Sequence, residues 1–397
     1  MERIGIYGAT FNPPHAGHFA AARYAAQALD LNKLLMIPAG IAPHKQLPEH
    51  SPTPLQRLEM VKLGIGEDPV IEASDLEIHG EGPSYTWQTV ARLRQQHPDA
   101  AFYLLMGSDM FLTFSSWKHP ERILAEASLA VLCRGRPEEK EQLQQAKAQL
   151  QAQGARVILL DNPITEISST QLRRLLAFGA AGEFLPPQVR SYIQSSGLYT
   201  RDLRNLPLDK LEEAVVSLLK PNRVAHVLGC RQAAVELARR HGADETDAAR
   251  AALLHDITKA LDGPLQLTLC RSYGTILDTF SAKNPKTLHA LTGSLVAQWI
   301  FGENEAVVSA IRSHTTGKAD MNLLEKIIYV ADYMEPNRDF PGVEKLRSLA
   351  YEDITEALKL GLSMTLDVLR QRRSDVSPES LDALRWLETS MEERKEL

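Results

Sequence analysis

One stretch near the start of the chain decides the fold of its first half: Ile4-Gly5-Ile6-Tyr7-Gly8-Ala9-Thr10-Phe11-Asn12-Pro13-Pro14-His15-Ala16-Gly17-His18. The apolar run at residues 4–7 predicts a buried strand, and the Ala-rich segment after His18 predicts a helix that extends to Leu29. A strand that leads into a helix places backbone N–H groups and the positive end of the helix dipole at the carboxyl edge of a sheet. Because α/β folds bind ligands at this edge, the stretch predicts a phosphate site.

Two histidines in this stretch indicate the chemistry of that site. His15 and His18 are three residues apart, which puts both imidazoles on one face of the first helical turn. Gly17 has no side chain that could shield this face, and Gly8 lets the backbone approach a phosphate closely. Two imidazoles and a helix N-terminus can together stabilise the charge on a pentavalent phosphorus, so the pattern indicates phosphoryl-group chemistry.

The remaining sequence divides into two halves with different patterns. Strand-like apolar runs alternate with helical segments in the first half, at residues 34–37, 70–73, 102–106, 129–132 and 157–160. This alternation predicts a parallel sheet with helices on both faces. In the second half apolar residues recur at helical spacing, as in 223–240, 247–261 and 323–334. We therefore predict a Rossmann-like α/β domain over residues 1–200 and an all-α domain over residues 207–397.

Composition excludes several classes of protein. The 397 residues are 44% hydrophobic and 24% charged, which is typical of globular chains and sufficient for two domains. Three widely spaced cysteines, Cys133, Cys230 and Cys270, indicate neither a disulfide framework nor a thiolate zinc site. A net charge of -6 argues against a nucleic-acid surface. The sequence has no apolar run of membrane length and no signal peptide before the first strand, so we expect a cytoplasmic protein. The sequence leaves open whether the chain forms a homo-oligomer.

The stretch from Gly8 to His18 resembles the nucleotidyltransferase superfamily marked by the motif H-x-G-H. Surrounding residues narrow the resemblance to the bacterial nicotinate-nucleotide adenylyltransferases, over nearly all of residues 1–200. The resemblance implies that the phosphate of nicotinic acid mononucleotide attacks the α-phosphorus of ATP, with Mg²⁺ on the ATP, and yields deamido-NAD and pyrophosphate without a covalent intermediate. It also implies that His15, His18 and Lys45 neutralise the developing charge.

The same resemblance implies substrate contacts along the whole first half. The implied binding residues are Gly8, Thr10, Phe11, Tyr85, Thr86, Ser108, Asp109, Trp117, Arg134, Ser168, Ser169, Thr170 and Arg173. Tyr85 and Thr86 belong to the segment that resembles the family's nicotinate site, and Trp117 to the aromatic that stacks on the pyridine ring. The preference for nicotinate over nicotinamide follows from the resemblance alone.

Local chemistry supports the last phosphate motif independently. Ser168 and Gln171 form a capping-box pattern, which predicts that a helix starts there. The three hydroxyls at 168–170 followed by Arg173 make a donor-rich helix start suited to the β- and γ-phosphates of ATP.

The sequence leaves the roles of three other positions open. Asp109 ends a strand, where it can bind ribose, orient a metal-bound water or cap the next helix. Trp117 fits a core position equally well, and spacing does not choose between Arg134 and Arg136.

The second half carries four histidines and two aspartates in apolar helical surroundings. They are His226, His255, Asp256, His289, His314 and Asp332. A buried carboxylate requires a cation or several hydrogen-bond donors. One metal centre that accepts neutral imidazoles and ionised carboxylates satisfies all six residues. This donor set suits iron or manganese, with zinc and cobalt not excluded.

The order of these residues resembles the HD-domain phosphohydrolases, and more narrowly the bacterial symmetrical diadenosine-tetraphosphate hydrolases, over roughly residues 205–390. Six ligands exceed what one octahedral ion with an open position needs, which favours two metals bridged by Asp256 and a hydroxide. The resemblance implies that a dinucleoside polyphosphate is cleaved to two ADP, with Lys259 and either Arg223 or Arg338 stabilising the leaving phosphate.

Alternatives stay open for both halves. The helical half can instead be a metal-stabilised nucleotide sensor, or it can hydrolyse another nucleotide such as guanosine tetraphosphate or a deoxynucleotide. For the first half the alternative is a pantetheine-phosphate or cytidylyl transferase, against which residues 84–86 and Trp117 argue.

Overall fold

The computed structural model describes residues 1–43, 47–48, 50–80, 82–133, 137–163 and 167–396. The chain forms two compact units. The first comprises residues 1–177 and 181–200, and the second comprises residues 178–180 and 201–397. No helix in the described ranges is long and apolar enough to cross a membrane.

The first unit is built on a six-stranded parallel sheet. Its strands are β1 (Arg3–Ala9), β2 (Lys33–Pro38), β3 (Ile71–Ala73), β4 (Ala101–Gly107), β5 (Ala127–Leu132) and β6 (Val157–Leu160). They lie in the order β3-β2-β1-β4-β5-β6, and every neighbouring pair is parallel, which confirms the predicted sheet. The order reverses direction beside β1, and ligands of open α/β sheets bind at such a switch point.

Helices cover both faces of this sheet. They are α1 (Ala16–Ala28), α2 (Pro54–Ile65), α3 (Thr86–Gln96), α4 (Ser108–Leu112), α5 (Pro120–Glu126), α6 (Pro137–Ala152), α7 (Ser169–Ala177) and α8 (Pro187–Ser195), with short 3-10 turns at Phe114–Ser116 and Gly182–Phe184. One apolar core contains Ile4 and Phe102, and a second core contains Leu34 and Leu105. Successive side chains of a strand point to opposite faces, so one sheet separates the two cores.

The second unit is helical, and none of its described residues forms a strand. Its helices are α9 (Leu208–Leu218), α10 (Pro221–His241), α11 (Glu245–Leu254), α12 (Gly263–Ser272), α13 (Thr279–Lys283), α14 (Leu288–Val296), α15 (Glu305–Ser313), α16 (Leu323–Met334), α17 (Val343–Glu352), α18 (Ile354–Gln371) and α19 (Pro378–Glu396). A 3-10 turn at Pro285–Thr287 precedes α14, and a π-helical segment at Ala297–Phe301 follows it. The all-α prediction is confirmed.

One predicted helix is shorter than its apolar pattern. Helical spacing extends over residues 247–261, but α11 ends at Leu254 and the chain continues in turns. The ring of His255 lies 2.6 Å from the carbonyl oxygen of Ala252 through Nδ1, and this carbonyl would otherwise accept from a backbone N–H in the next turn of the helix. A side-chain contact therefore replaces a helical hydrogen bond and ends α11 beside two predicted metal ligands.

Candidate active sites in the two units

The loop between β1 and α1 holds its two histidines in a defined arrangement. The backbone N–H of His15 donates to Nδ1 of His18 over 3.1 Å, and the two ring centroids are 3.6 Å apart. Because Nδ1 of His18 accepts this bond, the proton of the neutral ring lies on Nε2. Phe11 contacts the His18 ring edge-on, with centroids 5.1 Å apart. His18 is thus held as a hydrogen-bond donor at the start of α1.

The other predicted residues of this loop have different roles in the structure. A Cβ atom on Gly8 would meet nothing within 4 Å, so the space above the backbone that a close phosphate contact requires is present. The side chain of Phe11 is buried in the core and only 1% exposed, which leaves its backbone as the part that can face a ligand. Thr10 is half-buried, and its carbonyl oxygen accepts a hydrogen bond from Arg57 over 2.6 Å.

The second predicted phosphate motif lies against this loop. Ser168 and Gln171 form the expected capping bonds, in which the backbone N–H of Gln171 donates to Oγ of Ser168 over 3.2 Å. Helix α7 begins at Ser169. Ser169 donates to the carbonyl oxygen of Pro13 over 3.0 Å. Arg173 donates to the carbonyl oxygen of Asn12 over 2.6 Å and to the hydroxyl of Thr170 over 3.2 Å. The fold therefore joins two motifs that are distant in the sequence.

Sequence reasoning missed two residues that support the same loop. Arg57 on α2 is 1% exposed and donates to the carbonyl oxygens of Thr10 at 2.6 Å and Ala39 at 2.7 Å. Tyr199 donates to Oδ1 of Asn12 over 2.6 Å, and burial raises the pKa of its phenol above the usual value. The sequence could have indicated Arg57, because an arginine among the apolar residues of α2 requires buried hydrogen-bond partners. The partner of Tyr199 lies 187 residues away, and no local pattern indicates it.

The predicted nicotinate segment contacts the chain just after the 3-10 turn at Phe114–Ser116. Tyr85 immediately precedes α3, which begins at Thr86, and the ammonium of Lys118 lies 4.4 Å from the centroid of the Tyr85 ring. Trp117 is half-buried against Phe114, with ring centroids 5.4 Å apart. The stacking role of Trp117 stays a prediction.

Two further predicted contacts of the first unit lie at the start of α4. Ser108 is fully buried, and its hydroxyl donates to Glu139 over 3.0 Å, so this hydroxyl is directed to a protein partner. Asp109 is exposed in the first turn of α4. Lys45 and Arg134 lie outside the described residues.

In the second unit the six predicted metal ligands converge. Nε2 of His226 lies 3.1 Å from Asp332 Oδ1 and 3.3 Å from Nε2 of His255. Oδ1 of Asp256 lies 3.5 Å from Nε2 of His289 and 3.9 Å from Nε2 of His314. Two groups of three have all ligand atoms within 4.8 Å of one another: His226, His255 and Asp332, and His255, Asp256 and His314. Each group has the nitrogen and oxygen donors that could hold a metal ion, and His255 belongs to both groups.

Three of the imidazoles are oriented in the same way. Nδ1 lies within hydrogen-bond distance of the carbonyl oxygen three residues earlier, at 2.6 Å in His255, 2.9 Å in His289 and 2.7 Å in His314. A carbonyl can only accept, so the proton lies on Nδ1 and the lone pair of Nε2 is directed at the cluster. These are the tautomers that bind metal ions.

Protonation states in the cluster also fit a metal. Burial lowers the pKa of His255 and His289 and lowers the pKa of His314 to about 4, so these rings are neutral near neutral pH. Burial opposes ionisation of Asp332, but the contact with His226 and the positive charge of Arg338 hold the pKa of Asp332 well below its ordinary value. Neutral imidazole and carboxylate are the ligand forms that first-row divalent metals require.

Three cations border this cluster. The ammonium of Lys259 lies 2.8 Å from Nε2 of His289, and burial lowers the pKa of Lys259 to about 8. Arg223 forms an ion pair with Asp256, and Arg338 donates to Oδ1 of Asp332 over 2.7 Å. All three predicted phosphate-binding cations are therefore at the site.

Both units are similar to proteins of known families. The Cytidylyltransferase-like family model matches residues 6–175, and the HD domain model matches residues 223–337. A protein of Neisseria meningitidis serogroup C, named "Probable nicotinate-nucleotide adenylyltransferase", is 36% identical over 207 residues, which are 51% of this chain and 100% of the relative. A relative of the same name from Acidithiobacillus ferrooxidans is 37% identical over 213 residues, covering 50% of this chain and 96% of the relative.

A solved structure is similar as well. It comes from Clostridium acetobutylicum and is described as a "predicted HD superfamily hydrolase involved in NAD metabolism". It is 35% identical, covers 47% of this chain and 98% of its own, and has a TM-score of 0.45.

Proposed function

Because the chain belongs to the nicotinate-nucleotide adenylyltransferase family through its first half, we propose that residues 1–200 transfer AMP from ATP to nicotinic acid mononucleotide. The observation that carries this proposal is the joining of the β1–α1 loop to α7 by Ser169 and Arg173. Two helix N-termini and an imidazole donor then face one region, as a triphosphate requires.

The transfer is a direct displacement at phosphorus. A phosphate oxygen of nicotinic acid mononucleotide forms a bond to the α-phosphorus of ATP, and the bond from that phosphorus to the β-phosphate oxygen breaks, which releases pyrophosphate. His18 donates from Nε2 to a phosphate oxygen on which charge grows, and Ser169 and Arg173 position the pyrophosphate end. Mg²⁺ bound to ATP would neutralise part of the phosphate charge.

A substrate panel tests this activity. The full chain is incubated with ATP or CTP and with nicotinic acid mononucleotide, nicotinamide mononucleotide or phosphopantetheine, and pyrophosphate and dinucleotide are measured. We expect the highest kcat/KM for ATP with nicotinic acid mononucleotide. A preference for CTP or phosphopantetheine would contradict the proposal.

For residues 207–397 we propose a metal-dependent phosphohydrolase that cleaves diadenosine tetraphosphate symmetrically. The HD domain supports a metal-dependent phosphohydrolase, and the convergence of six ligands supports a metal site within it. His226, His255, Asp256, His289, His314 and Asp332 would hold divalent iron or manganese, which supplies an ionised water and polarises the phosphate.

The cations of the site bind the polyphosphate and stabilise the leaving group. Water adds to one of the two central phosphorus atoms, the bond from that phosphorus to the central bridging oxygen breaks, and both products are ADP. Lys259, Arg223 and Arg338 are placed to compensate the charge on the departing oxygen. Their contacts with Asp256 and Asp332 keep them at the ligands before substrate arrives.

Product analysis separates the alternatives for this unit. The full chain is loaded with Fe²⁺ or Mn²⁺ and incubated with diadenosine tetraphosphate or guanosine tetraphosphate. We expect ADP as the single product of the first substrate. AMP together with ATP would contradict symmetrical cleavage, intact ligand bound at equilibrium would support a sensor, and faster turnover of guanosine tetraphosphate would support a different substrate.

A further inference from the structure

One ligand of the proposed metal site is oriented differently from the others. His255 and His314 directly follow the last residues of α11 and α15, and His289 follows a 3-10 turn, so backbone carbonyls are within reach of their Nδ1 atoms. His226 instead lies inside the 21-residue helix α10, where each carbonyl accepts from the N–H four residues on. The backbone therefore offers Nδ1 of His226 no comparable acceptor.

The carboxylate of Glu335 occupies this place. Glu335 directly follows α16, is 1% exposed, and its Oε1 lies 3.2 Å from Nδ1 of His226. Its other oxygen, Oε2, accepts from the backbone N–H of Asn337 at 2.7 Å and from the side-chain amide of Asn337 at 2.8 Å. Oε1 therefore faces His226 and, at 4.0 Å, Nε of Arg338, whereas Oε2 faces Asn337, so the two oxygens have different partners.

A glycine in α10 makes room for this carboxylate. A Cβ atom on Gly229 would collide with Oε2 of Glu335 and would lie 2.8 Å from the side-chain amide of Asn337. Glycine in a helix interior lowers the stability of the helix, and the close approach of Glu335 explains why α10 has a glycine at this position. The contact between α10 and the residue after α16 is thus built around the carboxylate.

We propose that Glu335 is a positioning residue that selects the metal-binding tautomer of His226 and thereby controls metal affinity at the His226 and Asp332 side of the cluster. The inference rests on the metal site proposed above. An ionised carboxylate can only accept, so Nδ1 of His226 carries a proton and Nε2 is the nitrogen available to a metal. That atom faces Asp332 Oδ1 at 3.1 Å and Nε2 of His255 at 3.3 Å. Carboxylate partners of this kind also make a histidine a stronger ligand.

Replacement by glutamine reverses the tautomer for a geometric reason. The two donors of Asn337 attract the amide oxygen of Gln to the Oε2 position, which turns the amide NH₂ toward Nδ1 of His226. Nδ1 must then accept, the proton moves to Nε2, and that nitrogen no longer binds a metal. Glu335→Gln keeps the size of the side chain, so any loss of metal affinity reports the acceptor chemistry.

The test measures Mn²⁺ affinity by calorimetry on the metal-free full chain and compares it with Glu335→Gln. The control is Glu325→Gln, which changes an equally buried glutamate at the start of α16 whose partners are Asn322, Ser309 and Lys318. We expect Glu335→Gln to weaken the tighter binding step about 10- to 100-fold. We expect Glu325→Gln to leave it within about twofold, because none of its three partners is a proposed metal ligand.

The outcomes distinguish this inference from the proposed function. Unchanged Mn²⁺ affinity in Glu335→Gln, with wild-type binding intact, overturns the inference alone. A wild-type chain that binds no divalent metal overturns the metal site and the inference together. Should Glu335→Gln fail to fold, the ¹⁵N shifts of His226 in the metal-free wild type decide: a proton on Nδ1 supports the inference, and an Nδ1 without a proton contradicts it.

Discussion

The two sites use histidine with opposite placement of the ring proton. In the first unit the backbone N–H of His15 donates to Nδ1 of His18, so Nε2 carries the proton that a phosphate oxygen can accept. In the second unit backbone carbonyls accept from Nδ1 of His255 and His314, so Nε2 carries a lone pair that a metal can accept. One residue type thus presents a hydrogen-bond donor in one site and a free lone pair in the other.

The position of the histidine relative to its helix explains the difference. The first turn of a helix has unpaired N–H groups, and the last turn has unpaired carbonyls. His18 lies in the first turn of α1, whereas His255 and His314 directly follow the last residues of α11 and α15. For these three histidines the end of the helix accounts for the tautomer, whereas His289, near the start of α14, reaches a carbonyl of the preceding 3-10 turn.

Asp256→Ala is expected to have the largest effect, and only in the second unit. Asp256 is 1% exposed and lies between His289 and His314, so its removal takes away a carboxylate that the cluster shares. We expect loss of bound metal and of diadenosine tetraphosphate hydrolysis, with adenylyl transfer unchanged. Elemental analysis and the two activity assays measure this, and retention of two metal ions per chain would show that the ligand set is wrong.

His18→Ala tests the donor tautomer in the first unit. We expect kcat for adenylyl transfer to fall about 10²- to 10³-fold, the usual cost of removing one charge-stabilising donor. ATP affinity should change little, because the donor acts mainly in the transition state. His18→Gln keeps an N–H donor and should lose less activity. Steady-state kinetics and ATP titration measure both, and an equal loss of kcat and ATP affinity would contradict the assignment.

Arg57→Met tests how the phosphate loop of the first unit is supported. The buried guanidinium donates to the carbonyl oxygens of Thr10, Ala39 and Gly40, which would be left without this partner. We expect the free energy of unfolding of the first unit to fall by about 3 kcal/mol. Urea denaturation measures this, with exposed Arg92→Met as the control at less than about 0.5 kcal/mol. Equal effects of the two substitutions would show that Arg57 is not a structural support.

Tyr199→Phe should have the smallest effect. It removes the hydrogen bond to Asn12 and keeps the ring, so we expect a loss of about 1 kcal/mol in stability and a decrease of a few fold in kcat. Denaturation and steady-state kinetics on the same preparation test this. If both stay at wild-type values, the contact has no role in holding the loop.

Local patterns were sufficient for most of the fold and for most of the second site. Apolar runs predicted the strands because a parallel strand is buried on both faces, as Leu34 in β2 illustrates. His255 and Asp256 stood out because polar groups in an apolar helix are costly without a partner. By contrast, Arg57 and Tyr199 act on backbone and side-chain atoms far away in the sequence, and Ser108 faces Glu139, so periodicity carries no information about their roles.

The sequence by itself determined which residue types are available: a parallel α/β half, a helical half, a histidine pair at a helix start and six nitrogen and oxygen ligands. Only the tertiary structure decided how they act, because the proton position on an imidazole depends on the atom that faces its second nitrogen. For His18 that atom is a backbone nitrogen of its own turn, and for His226 it is the carboxylate of Glu335, 109 residues further along the chain.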